Sequence, residues 1–247
     1  MSGSWGKGRS AVAGQRESRE DLAARAAEMA RRLIAEYPDA ACRLNFANPF
    51  ELLVATILAA QCTDDKVNQV TPALFARAGA PEELSRLRPA SIEKMIHSTG
   101  FFRNKARSLK AASAMLVKEF AGRVPRDMDD LVRLPGVARK TANVVRAVAF
   151  GLPAIIADTH VVRLAQRMGL SRNQQPDKIE GDLAALVPEK DWSAFSHAML
   201  FHGRAVCDAK RPACDRCVVQ DRCPSAFAFP RFQKPGASRV PVTGDMR

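Results

Sequence analysis

The stretch "NPFELLVATILAAQ", residues 48–61, is apolar on nearly every side. A surface helix shows one apolar stripe, whereas a helix apolar all round must be enclosed by other elements. Its start is well marked. Asn48 suits an N-cap, and Pro49 suits the first helical position, where its missing N–H costs nothing. The apolar run from Leu52 to Ala60 is far short of the ~20 residues needed to cross a membrane. The segment therefore predicts a central buried helix with a shell of other helices around it.

The rest of the chain supplies that shell. "EDLAARAAEMARRLIAEY", from Glu20, repeats apolar residues at Leu22, Ala26, Met29 and Leu33, and Pro38 ends the pattern. Helical stretches follow near 64–77, 81–87, 89–97 and 103–121, with Gly100 and Gly122 as breaks. "DMDDLVRLPGVARKTANVVRAVAFG" reads as two helices. Asp127 caps a short one ending at Leu134, and the second runs from near Arg139 to Gly151. Asp158 caps "THVVRLAQRMG", and further helices are expected near 176–187 and 191–203. No βαβ rhythm and no hairpin signal interrupts this, so the expected class is all-α. Residues 1–19 and 226–247 lack periodicity and are expected to be flexible tails, the first of them basic.

A formal net charge of +12 over 247 residues bears on partners rather than fold, and points to a polyanion. The N-terminus has no apolar signal region, which predicts an intracellular protein. In that compartment clustered cysteines suggest a metal before a disulfide. Four of the six cysteines fall in "CDAKRPACDRCVVQDRC": Cys207, Cys214, Cys217 and Cys223. Four thiolates satisfy tetrahedral zinc or hold a [4Fe–4S] cluster, and spacing alone leaves both open. Cys42 and Cys62 sit in apolar helical contexts and read as small buried hydrophobes.

"LPGVARKTA" is the second informative stretch. A helix, a Pro-Gly turn and a second helix leave unpaired N–H groups at the second helix's start, aligned with the positive end of its dipole. That arrangement suits a phosphate oxygen, and Gly136 permits both positive φ and close approach. Such a contact reads backbone rather than bases. Lys140 lies in the first turn of the second helix, where the dipole disfavours a cation. A neutral lysine is a nucleophile able to form a Schiff base. The plainer alternative is a surface lysine touching phosphate. Asp158 is equally two-sided: an ordinary N-cap, or a carboxylate that stabilises positive charge on a sugar.

"LPGVARKTANVVRAVAFGLPAIIADTHVVRL", the Cys-x6-Cys-x2-Cys-x5-Cys segment, "NPFELLVATILAAQCTD" and "GFFRNKA" together closely resemble endonuclease III, from about Glu20 to Cys223. That family comprises helix–hairpin–helix DNA glycosylases with an iron–sulfur cluster. The resemblance implies two helical domains flanking a DNA-binding cleft. Residues 42–152 would form a six-helix barrel with the hairpin, and 20–41 plus 153–225 the cluster domain. It implies a base-excision-repair glycosylase with AP lyase activity. Lys140 would attack C1′ of an oxidised pyrimidine nucleotide and expel the base. The Schiff base would then allow β-elimination, nicking the strand 3′ to the site. Asp158 would assist base departure and activate the lysine. The damaged nucleotide must leave the stack. Gln61 matches the residue that fills the gap, and Phe101, after Gly100, the wedge into the opposite strand. Gly136, Ala138, Arg139 and His160 fall on expected DNA contacts. The four cysteines would hold a [4Fe–4S] cluster, and Lys210 and Arg211 would project from its loop toward phosphate. The expected partner is double-stranded DNA with oxidised-pyrimidine or abasic lesions. The protein is expected to be a cytoplasmic, nucleoid-associated monomer.

The chain departs from the family pattern at Ala138, where the hairpin usually has Gly, and at Ala59, where a Ser is usual. Two rivals remain. An adenine glycosylase lacks the lysine and carries a further C-terminal domain, whereas only a short segment follows Cys223 here. A non-catalytic DNA-binding protein would not require the lysine–aspartate pair.

Overall fold

The computed structural model describes residues 17–229. Among these residues all regular structure is helical. The helices are α1 (Arg19–Glu36), α2 (Pro49–Leu58), α3 (Asp64–Arg77), α4 (Pro81–Arg86), α5 (Pro89–Ile96), α6 (Phe102–Phe120), α7 (Met128–Arg133), α8 (Arg139–Phe150), α9 (Thr159–Arg167), α10 (Pro176–Ala184) and α11 (Trp192–Ala205). Residues 1–16 of the expected N-terminal tail and 230–247 of the C-terminal one lie outside the described residues. Glu17 to Arg19 belong to the fold instead. Ser18 caps α1 and Glu17 pairs with Arg25 at 2.7 Å.

The helix boundaries follow local chemistry. Asn48 accepts a hydrogen bond from the Glu51 N–H, with Pro49 opening α2. Asp127 caps α7 through the Asp129 N–H. Gly151 ends α8 in the left-handed region at φ 64°, as a C-cap glycine does.

Two apolar cores form. The first surrounds α2, whose Phe50 and residues 52–58 are all buried, and draws on Val67, Leu74, Leu84, Ile92, Leu109, Leu116, Leu131 and Val145. The second joins α1 to the C-terminal helices through Met29, Leu33, Leu164, Leu183, Phe195 and Met199. Its helices α1, α9 and α11 pack on one another, so the first helix of the chain closes against some of the last. An extended segment after Gly151 leads from one core to the other. Ser196 and Ser193 accept its Ile156 and Ala154 N–H groups.

Across the seam the links are polar. Asn143 of α8, only 2% exposed, donates to the Ile155 carbonyl at 3.0 Å and to Glu180 of α10 at 2.8 Å. Arg139 places two nitrogens on the same Glu180 carboxylate. Among the described residues no helix is long and apolar enough to cross a membrane.

Candidate active site and cluster loop

Lys140 lies in the first turn of α8, and Asp158 immediately precedes α9. Both line one cleft of about 390 Å³ at the seam, together with Gln61, Asp64, Ala138, His197 and Arg204. They also line an adjoining groove with Arg139, Thr159 and Arg163. Lys140 is exposed and Asp158 is 9% exposed. One carboxylate oxygen of Asp158 accepts both the His160 and Val161 N–H groups at 2.8 Å. The cap thus fixes the side chain and leaves its second oxygen for the cleft. Asp158 is therefore an N-cap, and it also lines the cleft that Lys140 lines.

The hairpin joins α7 to α8. Gly136 has φ +84°, which an L side chain rarely adopts. A Cβ there would sit 2.7 Å from Ser108 Cβ of α6. The missing side chain is thus explained by packing against the protein rather than by room for a phosphate. Ala138, where the family pattern usually has Gly, is extended at φ −88° and ψ 166°, a conformation any residue adopts, and no side chain caps α8. The first-turn N–H groups of α8 are left open toward the groove. Arg139 is engaged by Glu180, at 2.8 Å, rather than extended into solvent.

His160 is half-buried, and its Nδ1 lies 3.0 Å from the Arg163 guanidinium. The guanidinium can only donate, so Nδ1 accepts and Nε2 carries the proton. Burial lowers the His160 pKa, with Arg163 and Arg204 adding to this and Asp158 opposing it. His197 is lowered by burial too, against the pull of Asp158. Arg163 also donates to the Gly203 and Cys207 carbonyls.

Gln61 and Phe101 share an unusual backbone. Both are non-glycine residues in the left-handed region, at φ 53° and 46°, and both are exposed, Phe101 by 65%. Such strain is stored at functional loops. Gly100, at φ 69°, needs its conformation only, since a Cβ there would meet nothing. Phe101 sits outside the cleft, beside Phe102 and Arg103. Cys42 and Cys62 are half-buried and edge the cleft while packing on the first core.

Sequence reasoning passed over Asp64, His197 and Arg204. Arg204 faces Asp64 across the seam at 3.8 Å. The signal was weak: single polar residues on helices whose neighbours are remote in sequence.

Cys207, Cys214, Cys217 and Cys223 line one apolar pocket with Met168, Val219 and Phe229, and none forms a disulfide. Burial, with the neighbouring thiols, pushes the Cys217 thiol up to about 11. Four thiols that line one apolar pocket need a cationic metal to hold them as thiolates. Nitrogens already face two of them: Arg167 Nη1 donates to Cys207 Sγ at 3.4 Å, and His202 Nε2 lies 3.3 Å from Cys217 Sγ. The donor set fits an iron–sulfur group. Lys210 and Arg211 are exposed, and their N–H groups turn on the Asp208 carboxylate.

Two family models match the chain: "HhH-GPD superfamily base excision DNA repair protein" over residues 54–189, and "Iron-sulfur binding domain of endonuclease III" over 207–223. Endonuclease III from Synechocystis is 53% identical over 193 residues, which cover 78% of this chain and 88% of that protein. The chain belongs to the endonuclease III family. Endonuclease III from Bacillus subtilis is 45% identical, over 76% of this chain and 86% of its own length. A solved structure of a trapped endonuclease III–DNA covalent intermediate matches with TM-score 0.77 and 43% identity, covering 81% of this chain and 94% of that one. As a member of the endonuclease III family, the protein is a DNA-binding base-excision-repair glycosylase and AP lyase with a [4Fe–4S] cluster. The cofactor is therefore iron–sulfur rather than zinc, and its family model spans the segment that contains the four cysteines.

Proposed function

We propose that the protein removes oxidised pyrimidines from double-stranded DNA and nicks abasic sites, with Lys140 as nucleophile and Asp158 as its partner. The observation that carries this reading is that the two residues line one cleft from opposite sides of the seam. The neutral Lys140 amine attacks C1′. The C1′–N bond breaks, and the base leaves with that electron pair and a proton. The amine then loses a proton, and its lone pair forms the C1′=N bond as the C1′–O4′ bond breaks and O4′ takes up a proton, which gives a Schiff base. That electron sink acidifies the 2′ carbon, so loss of a 2′ proton expels the 3′ phosphate. Asp158 places negative charge beside the cation that develops at C1′. Gln61 fills the space the nucleotide leaves, Phe101 wedges beside it, and the open N–H groups at Ala138 and Arg139 take a phosphate. His160 Nε2–H is a further phosphate donor. Gly136 and Gly100 shape the two DNA-facing turns.

The two cores correspond in this reading to two domains, residues 42–152 and 20–41 plus 153–225. Cys207, Cys214, Cys217 and Cys223 would hold the cluster, whose role is to fold and rigidify the loop bearing Lys210 and Arg211. A monomer suffices, since one chain contributes every proposed site residue. Action on double-stranded DNA is what supports a cytoplasmic, nucleoid-associated location.

The test is covalent trapping. Protein is incubated with a thymine-glycol or abasic duplex and then borohydride. An adduct that disappears in Lys140→Ala supports the reading. No adduct from cluster-loaded protein overturns it.

A further inference from the structure

Lys105 is 6% exposed, inside the first core. It shares a face of α6 with Ala106, Leu109, Ala112 and Leu116. A buried cation is costly unless strongly bonded. Its ammonium donates to the Leu58 carbonyl at 2.8 Å and to the Thr99 carbonyl at 2.9 Å, and makes no ion pair among the described residues. Burial lowers its pKa.

The two acceptors are specific places. Leu58 ends α2, three residues before Gln61. Thr99 ends a short 3-10 turn, two residues before Phe101. In a continuing helix the Cys62 N–H would bond to Leu58; it bonds to Ala59 instead, and Lys105 takes the Leu58 carbonyl. Both carbonyls sit at helix C-termini, where a cation is favoured. Immediately beyond each, the chain turns into the left-handed region, at Gln61 and Phe101. The strain there persists only if the surroundings over-determine it.

We infer that Lys105 is a positioning residue for nucleotide extrusion: one buried ammonium ties together the bases of the two loops that present Gln61 and Phe101. This rests on the proposed roles of those two side chains. Without the tie each loop relaxes independently, and the pair no longer meets the duplex in a fixed relation. A nucleotide in single-stranded DNA needs no gap filled, so Lys140 chemistry on it is indifferent to the tie.

The readout is the ratio of borohydride-trapping rates on duplex and single-stranded abasic DNA, with 2-aminopurine fluorescence beside the lesion as a direct signal of unstacking. Lys105→Met is expected to lower that ratio by about 10- to 100-fold, the scale of small misplacements, and to delay the fluorescence rise. Lys105→Gln, which retains two N–H donors, is expected to restore part of both. If Lys105→Met does not fold, Lys105→Gln is compared with the unsubstituted protein, and a smaller fall in the ratio is expected. Equal loss on both substrates, or an unchanged ratio, overturns the inference. Absence of trapping by the unsubstituted protein on both substrates would instead overturn the assignment of Lys140.

Discussion

Replacing Gly136 by alanine separates two demands that the hairpin makes of one residue. The first is backbone: φ +84° costs an L residue about 1–2 kcal/mol. The second is packing. The new methyl would lie 2.7 Å from Ser108 Cβ and 3.0 Å from its Oγ, a clash with the body of a helix rather than a flexible tip. Overpacking of this kind costs about 1–3 kcal/mol. Alanine also restricts the unfolded chain, which returns about 0.4–1 kcal/mol. The net expected loss is about 3 kcal/mol, a fall in Tm of about 6–12 °C for a chain of this size. Urea unfolding under anaerobic conditions, with the cluster intact, measures it. Ser108→Gly in the same chain should recover the packing share and leave the backbone share, so the double-mutant cycle should show about 1–3 kcal/mol of favourable coupling. A loss under about 1 kcal/mol refutes the backbone argument. Absence of coupling refutes the contact, and would return the glycine to phosphate approach as its reason.

Three further outcomes are expected. Glu180→Ala removes the acceptor of both Arg139 and the buried Asn143 amide, so stability should fall by about 1–3 kcal/mol. Arg139→Ala should cost less, because Arg139 is half-exposed. Burial depresses the folded-state pKa of His160 and His197 below their ordinary value near 6.5. Their contribution is complete above pH 6.5. As pH falls below it, the unfolded chain binds protons first and stability declines until the folded-state pKa values are reached. Denaturation midpoints from pH 7 to 5 should show this decline, and His197→Gln should flatten it; a slope unchanged by the substitution refutes the assignment. Lys210→Ala with Arg211→Ala should weaken DNA binding and lower the slope of log K against log salt by up to about 2. An unchanged slope would remove those residues from the interface.

What was legible in the sequence was what local chemistry decides. Asn48, Asp127 and Asp158 each precede an apolar-periodic run, and each caps a helix through N–H groups two or three residues on. The all-round apolar character of α2 announced its burial. Lys105 was not singled out, because both its acceptors lie at loop ends and one is 47 residues away. Its signal was nevertheless present, as a lone lysine in register with Leu109, Ala112 and Leu116 on the buried face of α6. The family pattern drew attention to the Gly-Val-Ala variation at residue 138, where structure makes it neutral for the backbone. The same pattern hid that Gly136 is constrained from behind by Ser108, a contact between helices that no spacing rule exposes.

The location of the candidate site at a polar seam bears on how its geometry is set. Within each core, apolar packing fixes side chains densely, and a displaced methylene is felt. Between the cores, Lys140 and Asp158 are held in relation by Glu180, Asn143 and the Arg204–Asp64 pair. The Arg204–Asp64 pair is long and partly exposed, and such pairs contribute at most about 1 kcal/mol. Asn143 differs. It is buried, and one amide bonds both to Ile155 in the connecting segment and to Glu180 in the second lobe. Leaving that amide unpaired costs more than an exposed ion pair contributes. Asn143 lies on the same helix as Lys140, within one turn, so the side chain that links the two cores also anchors the helix that bears Lys140. Of these polar links, the buried Asn143 amide on Glu180 is thus expected to hold Lys140 against Asp158 more firmly than the Arg204–Asp64 pair at the rim.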